Sequence, residues 1–185
     1  MKVLRFVPII AITLTLLPSS EAQQKEECRI LYVPTEQVVV EKMLQMAKVK
    51  KDDVVFDLGC GDGRIVVTAA KKYGCKGVGV DIDPARIKDS METMRKANVT
   101  TDLVDIRQGD ALKVKDLERA SVIMLYMLPE FMEKLEPQMK KRLKPGTRIV
   151  AHDYPFPDMS ADQVVDFKGP KREHTLYLWT LKKKQ

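Results

Sequence analysis

The residues best suited to chemistry lie in the segment Asp57-Leu58-Gly59-Cys60-Gly61-Asp62-Gly63, which follows the apolar run Val54-Val55-Phe56. Glycines permit positive φ and lack the Cβ that would keep a ligand away from the backbone. A turn of this kind before a helix directs N–H groups at a carboxylate or a phosphate. The spacing is not G-x-G-x-x-G, because Arg64 holds the place of the third glycine. The pattern therefore disfavours a dinucleotide site.

Four carboxylates are expected around this turn. Asp57 and Asp62 flank it, Asp81 ends the second apolar run, and Asp110 follows the third run in Gln108-Gly109-Asp110-Ala111. They would repel a pyrophosphate but suit a ligand that carries a sulfonium and an ammonium, since opposite charges interact strongly in a partly dry cleft. Asp81 is placed to accept hydrogen bonds from a ribose diol, and Asp110 from an adenine amino group. For each acid the alternative is a helix cap or a turn carboxylate.

The elements that must position these acids alternate between helix and strand patterns. Helices are predicted after a cap at Pro34-Thr35, with apolar positions from Val39 to Ala47, and over residues 64–73, 84–97 and 130–143. Strands are predicted at residues 54–56, 77–80, 103–107, 122–126, 148–151, 164–167 and 175–181. Alternation implies parallel crossovers, whereas the short final connection around Gly169-Pro170 implies an antiparallel hairpin. The prediction is an α/β, Rossmann-like, doubly wound sheet of seven strands.

Composition fits one globular domain. The chain has 185 residues, of which 44% are hydrophobic and 31% charged, which excludes collagen-like, low-complexity and wholly disordered classes. The net charge is +6, and the basic runs fall at a helix end, a loop and the terminus, where solvated charge is ordinary. Nucleic-acid binding is therefore not expected. Three cysteines and two histidines show no metal-ligand spacing, so no metal is predicted.

Residues 1–22 are predicted to be a signal peptide. Lys2 and Arg5 precede an apolar run over residues 6–17. The small residues Ser20 and Ala22 occupy the positions that signal peptidase recognises before its cleavage site. Cleavage before Gln23 would give an exported protein, in the periplasm or secreted. The alternative is an uncleaved membrane anchor. Residues 23–30 are predicted to be a flexible arm, and residues 31–185 the functional domain.

Three motifs resemble those of the seven-strand S-adenosylmethionine-dependent methyltransferases. They are Asp57-Leu58-Gly59-Cys60-Gly61-Asp62-Gly63, Gly79-Val80-Asp81 and Gly109-Asp110. A narrower resemblance rests on Tyr32-Val33-Pro34-Thr35, Leu143-Lys144-Pro145-Gly146-Thr147-Arg148 and His174-Thr175-Leu176-Tyr177-Leu178. With these, the chain is similar to the small archaeal protein-lysine methyltransferases and their bacterial relatives, and distantly to the seven-strand histone-lysine methyltransferases. The similarity covers about residues 31–181.

The resemblance implies a methyltransferase domain with S-adenosylmethionine as cofactor. Tyr32 and Thr35 would close over its methionine end, while Asp57 and Gly59 would hold its amino acid part. Asp81 would bind its ribose and Asp110 its adenine. The predicted cofactor-binding set is Tyr32, Thr35, Asp57, Gly59, Gly61, Asp81, Asp110 and Ala111. For Tyr32 and Thr35 the alternatives are a packed aromatic and a helix cap.

The acceptor is expected after the fourth strand, at Tyr126-Met127-Leu128-Pro129. This segment lacks the Asn/Asp-Pro-Pro-Tyr/Phe pattern typical of methylation of nucleic-acid bases. An apolar, aromatic rim suits a lysine stem and a neutral amine, which forms only when the ammonium, of pKa ~10.4 in water, loses its proton. Tyr126 is the predicted catalytic residue, as the group that orients the amine. Its alternative role is that of a core aromatic.

Two histidines, His152 in His152-Asp153 and His174, are candidates for a general base or a metal ligand. Lone histidines are usually structural, and no Ser or Cys nucleophile is placed beside them, so a hydrolytic triad is not predicted.

The predicted function is methyl transfer to a lysine of a protein partner. The alternatives are a small-molecule methyltransferase and a cofactor-binding module without turnover. Membrane contact is expected only through an uncleaved leader.

Overall fold

The computed structural model describes residues 32–183. The predicted signal peptide and the predicted arm therefore lie outside the described residues. The chain divides into two units, Met1–Tyr32 and Val33–Gln185, and all the elements below belong to the second. Within the described part of the chain, no helix is long and apolar enough to cross a membrane.

The described residues of the second unit form four α-helices and seven strands. The helices are α1 (Gln37–Met46), α2 (Arg64–Tyr73), α3 (Pro84–Ala97) and α4 (Pro129–Arg142). The strands are β1 (Val54–Leu58), β2 (Lys76–Asp81), β3 (Val104–Gln108), β4 (Val122–Leu125), β5 (Arg148–His152), β6 (Gln163–Lys168) and β7 (Glu173–Thr180). Two short 3-10 helices, Ala111–Lys113 and Leu117–Arg119, connect β3 to β4. The predicted order of elements is confirmed.

The seven strands form one sheet in the order β3-β2-β1-β4-β5-β7-β6. Strands β1 to β5 pair in parallel, whereas β7 lies antiparallel between β5 and β6. This confirms the predicted Rossmann-like sheet with its antiparallel C-terminal hairpin. All five parallel strands end at one edge, which is where open α/β sheets bind their ligands.

Hydrophobic packing covers both faces of the sheet, because successive strand residues point to opposite sides. Val55 of β1 packs in a buried cluster with residues of α1 and α2. Phe56, the next residue, packs in a second cluster with Met132, Leu135 and Met139 of α4. The sheet is thus a rigid platform with helices on each side, and it fixes the positions of the strand ends.

Two element boundaries differ from the sequence prediction in ways that matter for the site. Strand β1 continues through Leu58, so Asp57 lies within the strand and is buried. Helix α1 begins at Gln37 with Glu36 at its N-cap, so the predicted cap at Pro34-Thr35 is wrong. The hydroxyl of Thr35 instead faces His152, a contact that local capping patterns do not reveal.

Candidate active site

The glycine-rich turn after β1 has the backbone conformation that its sequence predicts. Gly59, Gly61 and Gly63 have φ values of +88°, +55° and +72°. A Cβ on Gly59 would collide with the sulfur of Met127, which lies over the turn. The N–H groups of Gly59 and Cys60 donate to the carbonyl of Val80 at 2.8 and 3.0 Å. These bonds seat the turn on the end of β2.

Asp57 is the buried acid of the site, with only 2% of its surface exposed. Burial raises the pKa of its carboxyl from 3.8 to about 8, and the nearby charges of Asp81 and Asp62 act in the same direction. The carboxyl therefore holds its proton near neutral pH while no cation is present. An ammonium placed against it would favour the ionised form.

Asp81 joins the turn after β1 to the end of β2. Its Oδ2 accepts from the N–H of Gly61 at 2.8 Å, and its Oδ1 accepts from the N–H of Asp83 at 3.0 Å. Each carboxylate oxygen has two lone pairs, so each retains one for a further donor. The two oxygens are thus oriented by backbone bonds and still able to receive the two hydroxyls of a ribose.

Asp110 caps the 3-10 helix that follows β3. Its Oδ1 accepts from the N–H of Leu112 at 2.9 Å, and this hydrogen bond lowers the pKa of its carboxyl. The adjacent Gly109 N–H donates to the carbonyl of Asp81 at 2.8 Å, which brings the ends of β2 and β3 together. Ala111 is 8% exposed and packs in the core beneath. Their contacts with an adenine stay a prediction.

Asp62, the fourth acid expected around the crevice, is committed to a partner. Its oxygens accept from the Arg64 guanidinium at 2.8 and 2.5 Å. That guanidinium also donates to the Thr35 carbonyl at 2.8 Å. Asp62 still contributes to the raised pKa of Asp57, and Asp57, Asp81 and Asp110 are the acids left for a ligand. Of these, Asp110 also has Lys113 as an exposed ion-pair partner, with Nζ 3.2 Å from its Oδ2.

Thr35 and Tyr32, predicted to close over the methionine end of the cofactor, fall in different units. Thr35 is 5% exposed, and its Oγ1 lies 3.4 Å from Nδ1 of His152. Tyr32 ends the N-terminal unit and is its one described residue. The predicted roles of both residues stay predictions.

Tyr126 directly follows β4 and is held on two sides. Its hydroxyl accepts from Arg172 at 3.1 Å, and Arg172 also donates to Asp153 at 2.6 Å. Its ring lies 4.1 Å from that of His152, measured between centroids. Burial, followed by the charge of Asp153, raises the pKa of the Tyr126 hydroxyl above 10. The group is therefore neutral and well oriented at physiological pH.

Sequence analysis did not place His152 and His174 together, but in the structure their side chains form a pair. His152 Nε2 lies 2.8 Å from His174 Nδ1, and the two side chains are 1% and 3% exposed. Burial lowers the pKa of His152 to about 4. The predicted C-terminal hairpin was the sequence feature that could have indicated this pair. Antiparallel pairing of β7 with β5 places the start of β7 beside the end of β5.

Asp153 completes a set that is able to bind a metal ion. Ligand atoms of His152, Asp153 and His174 all lie within 4.8 Å of one another. Arg172 already pairs with Asp153, however, so a cation would have to compete with a guanidinium. The cluster also contacts Tyr126 through the ring of His152, and the role of Tyr126 at the acceptor stays a prediction.

Together these residues make the site acidic at the ends of β1, β2 and β3 and largely apolar in the segment after β4. The buried Asp57 suits an ammonium and the oriented Asp81 suits a diol, whereas the acids would repel a polyphosphate. A cationic nucleoside with an amino acid tail satisfies both positions and carries no phosphate. The residues present therefore fit S-adenosylmethionine.

Comparisons with known proteins agree with this fit. Residues 57–163 match the model of the ANTKMT methyltransferase domain. The chain is 40% identical over 151 residues to a protein-lysine N-methyltransferase of Saccharolobus islandicus, covering 81% of this chain and 92% of that protein. It is 29% identical over 133 residues to a human lysine N-methyltransferase of ATP synthase, covering 72% of this chain and 55% of that protein.

The fold of the chain is also similar to that of a methyltransferase of known structure. The crystal structure of an RNA methyltransferase from Salinibacter ruber in complex with S-adenosyl-L-homocysteine has a TM-score of 0.77 and 42% sequence identity. The similarity covers 83% of this chain and 96% of that one. The bound S-adenosyl-L-homocysteine is the product that methyl transfer from S-adenosylmethionine leaves behind.

Proposed function

Because this chain belongs to the ANTKMT methyltransferase family, we propose that the acceptor of its methyl group is the ε-amine of a lysine in a protein. The chain is an S-adenosylmethionine-dependent methyltransferase with the seven-strand fold. The lysine acceptor is supported above all by the relative from Saccharolobus islandicus, which is 40% identical, is covered over 92% of its length and is named for that reaction.

S-adenosylmethionine supplies a methyl group activated by a sulfonium. Asp57 would pair with its ammonium, Asp81 would accept from its ribose, and Asp110 would accept from its adenine. The turn through Gly59 would let the amino acid part approach the backbone. With an activated methyl group, the main task of the protein is to place donor and acceptor in line.

The acceptor end of the site has the character that a lysine requires. Met127 lies over Gly59, and Leu128 is 49% exposed, so an apolar surface continues from the turn to the solvent. The four methylenes of lysine would pack on this surface, and its amine would reach the hydroxyl of Tyr126. An apolar surrounding disfavours the ammonium and so promotes the neutral amine that attacks the methyl group.

RNA is a second candidate acceptor, because the Salinibacter ruber neighbour is named as an RNA methyltransferase and is 42% identical. The distribution of charge argues against it. The basic residues Lys140 and Lys141 end α4, and Lys182 follows β7 beside the start of β5. These lie at the opposite edge of the sheet from the acids, and Arg172, the cation beside Tyr126, is already paired with Asp153. An RNA held at the site would need cations there that are available to its phosphates.

The acceptor class can be assigned by labelling. The protein is incubated with S-adenosylmethionine carrying a tritiated methyl group and a heat-treated cell extract, and the products are treated separately with protease and ribonuclease. Protein-lysine methylation predicts label that protease alone releases from the precipitate. Label released by ribonuclease would favour RNA, and label in the small-molecule fraction would favour a small-molecule methyltransferase. Binding of the cofactor without any label would indicate a module without turnover.

The leader remains a separate proposal about location. Residues 1–22 have the charged, apolar and small-residue parts of an export signal. We propose that this segment is removed and the rest exported, with a retained membrane anchor as the alternative.

A further inference from the structure

Tyr126 is fixed by a group of buried side chains that come from distant parts of the chain. His152 ends β5, and the register of β4 with β5 places it beside Tyr126, one residue beyond the pair Leu125 and Ala151. Its ring packs against the Tyr126 ring with centroids 4.1 Å apart and planes at 33°. The last residue of a central strand thus forms one wall of the position that Tyr126 occupies.

The ring of His152 is itself held at both nitrogens. Nδ1 lies 3.4 Å from Thr35 Oγ1, and Nε2 lies 2.8 Å from Nδ1 of His174. Thr35 precedes α1 and His174 belongs to β7, so three elements meet at one imidazole. A facing pair of ring nitrogens shares one proton, so the two rings cannot both be cations at this distance. Burial lowers the pKa of His152 and holds the ring neutral, in agreement with this geometry.

The other side of Tyr126 is equally defined. Arg172 donates to the Tyr126 hydroxyl and pairs with Asp153. The ring of Tyr154 stacks on the ring of Tyr126, with centroids 6.3 Å apart. Aromatic contacts of this kind restrain a ring without binding its hydroxyl. Tyr126 therefore keeps a fixed ring and a hydroxyl that is directed by a cation.

We propose that His152 is a positioning residue for methyl transfer, which acts by holding the ring of Tyr126 at the acceptor end of the site. This inference rests on the proposed placement of the acceptor at Tyr126, but not on its being a lysine. His174 and Thr35 serve to hold the imidazole, and Asp153 and Arg172 direct the hydroxyl. The cofactor acids lie on β1, β2 and the segment after β3, so loss of the His152 ring should leave them in place.

The test is a set of four variants, His152→Ala, His152→Phe, Tyr126→Ala and the double variant His152→Ala/Tyr126→Ala. Methyl transfer is measured at saturating S-adenosylmethionine with the labelled cofactor and heat-treated extract, and cofactor affinity is measured by calorimetry. Misplacement of a reacting group by about 1 Å costs roughly 100-fold in rate, so His152→Ala should lower the rate by about 10- to 100-fold. Its affinity for the cofactor should stay within about twofold, since the acids Asp57, Asp81 and Asp110 lie on other elements and keep their positions.

Two comparisons separate positioning from a merely structural role. His152→Phe keeps an aromatic ring against Tyr126 but loses the contacts with Thr35 and His174, so its rate should lie between those of His152→Ala and the parent. The double variant should be no slower than Tyr126→Ala, because a residue that acts through Tyr126 has nothing to hold once that ring is absent. If His152→Ala fails to bind the cofactor, His152→Gln replaces it, since glutamine keeps a hydrogen-bonding group and lacks the ring.

Additive losses in the double variant, full activity of His152→Ala, or a rate of His152→Phe no higher than that of His152→Ala would each overturn the proposal. Loss of parent activity on chelation and its recovery with Zn²⁺ would also overturn it, by making the histidines metal ligands. If the parent labels a small-molecule fraction instead of protein, the lysine proposal fails, and the same variants are compared on that fraction.

Discussion

The N–H of Gly61 donates to Oδ2 of Asp81 at 2.8 Å, across 20 residues of sequence. This bond ties the glycine-rich turn after β1 to the acid at the end of β2, and it orients the carboxylate before any ligand arrives. Preorganisation of this kind reduces the cost of binding, because the acid does not have to be ordered by the ligand.

Replacement of Asp81 by alanine should weaken cofactor binding by about 1–3 kcal/mol, since the ribose loses a charged acceptor for its hydroxyls. Titration calorimetry with S-adenosylmethionine measures the change. Asp83→Ala is the matched control, because Asp83 carries the same charge two residues away but caps α3 through Ala85. Equal affinities of parent and Asp81→Ala, or tight binding of NAD by the parent, would refute the assignment of the site.

Cofactor affinity should depend on pH through Asp57. Burial raises the pKa of this carboxyl to about 8, so below that pH the free protein must release a proton before the carboxylate can pair with an ammonium. The affinity should therefore rise between about pH 6 and pH 8, with proton release visible as a buffer-dependent heat of binding. Asp57→Asn should bind more weakly and show a flatter profile. A parent profile with no slope over this range would contradict the role of Asp57.

The same substitution should stabilise the ligand-free protein. The pKa of Asp57 is higher in the folded state, at about 8, than its ordinary value of 3.8. The folded state therefore binds more protons than the unfolded state, and its free energy of unfolding falls as pH rises between these two values. A neutral asparagine avoids that loss, so Asp57→Asn should gain about 1–3 kcal/mol at pH 8. Thermal unfolding at pH 5 and pH 8 measures this, and a gain that does not increase with pH would refute it.

The cofactor side of the site was predictable because its residues follow local patterns. The apolar runs that form β1, β2 and β3 each end near an acid, as at Asp57 and Asp81, and parallel strands share one carboxyl edge. The positive φ values of Gly59 and Gly61 follow from the same turn. These features depend on short stretches of sequence and on the general geometry of α/β sheets.

The acceptor side was less predictable because its contacts join distant segments. Thr35 has the sequence context of a helix cap, yet its hydroxyl faces His152, which lies 117 residues away. The pairing of His152 with His174 depends on the register between β5 and β7. Neither partner carries a local pattern that distinguishes it from an ordinary buried histidine.

The leader makes a prediction that is independent of the site. If residues 1–22 are removed on export, the mature chain should begin at Gln23, and Edman sequencing or intact mass measurement of the exported fraction should show it. An intact Met1 on a protein in the cytoplasm or inner membrane, protected from external protease, would contradict export and favour the retained leader.

The most direct test of the central claim is to identify the methylated atom as pH is varied. At saturating labelled S-adenosylmethionine, mass spectrometry of the treated extract should place methyl groups on lysine, and Asp81→Ala should give less label when the cofactor is limiting. Since a lysine ammonium has a pKa of ~10.4 and must lose its proton, the rate should rise by up to about tenfold per pH unit from neutral pH until another step limits. Methyl groups found only on nucleobases, carboxylates or small molecules would contradict the account.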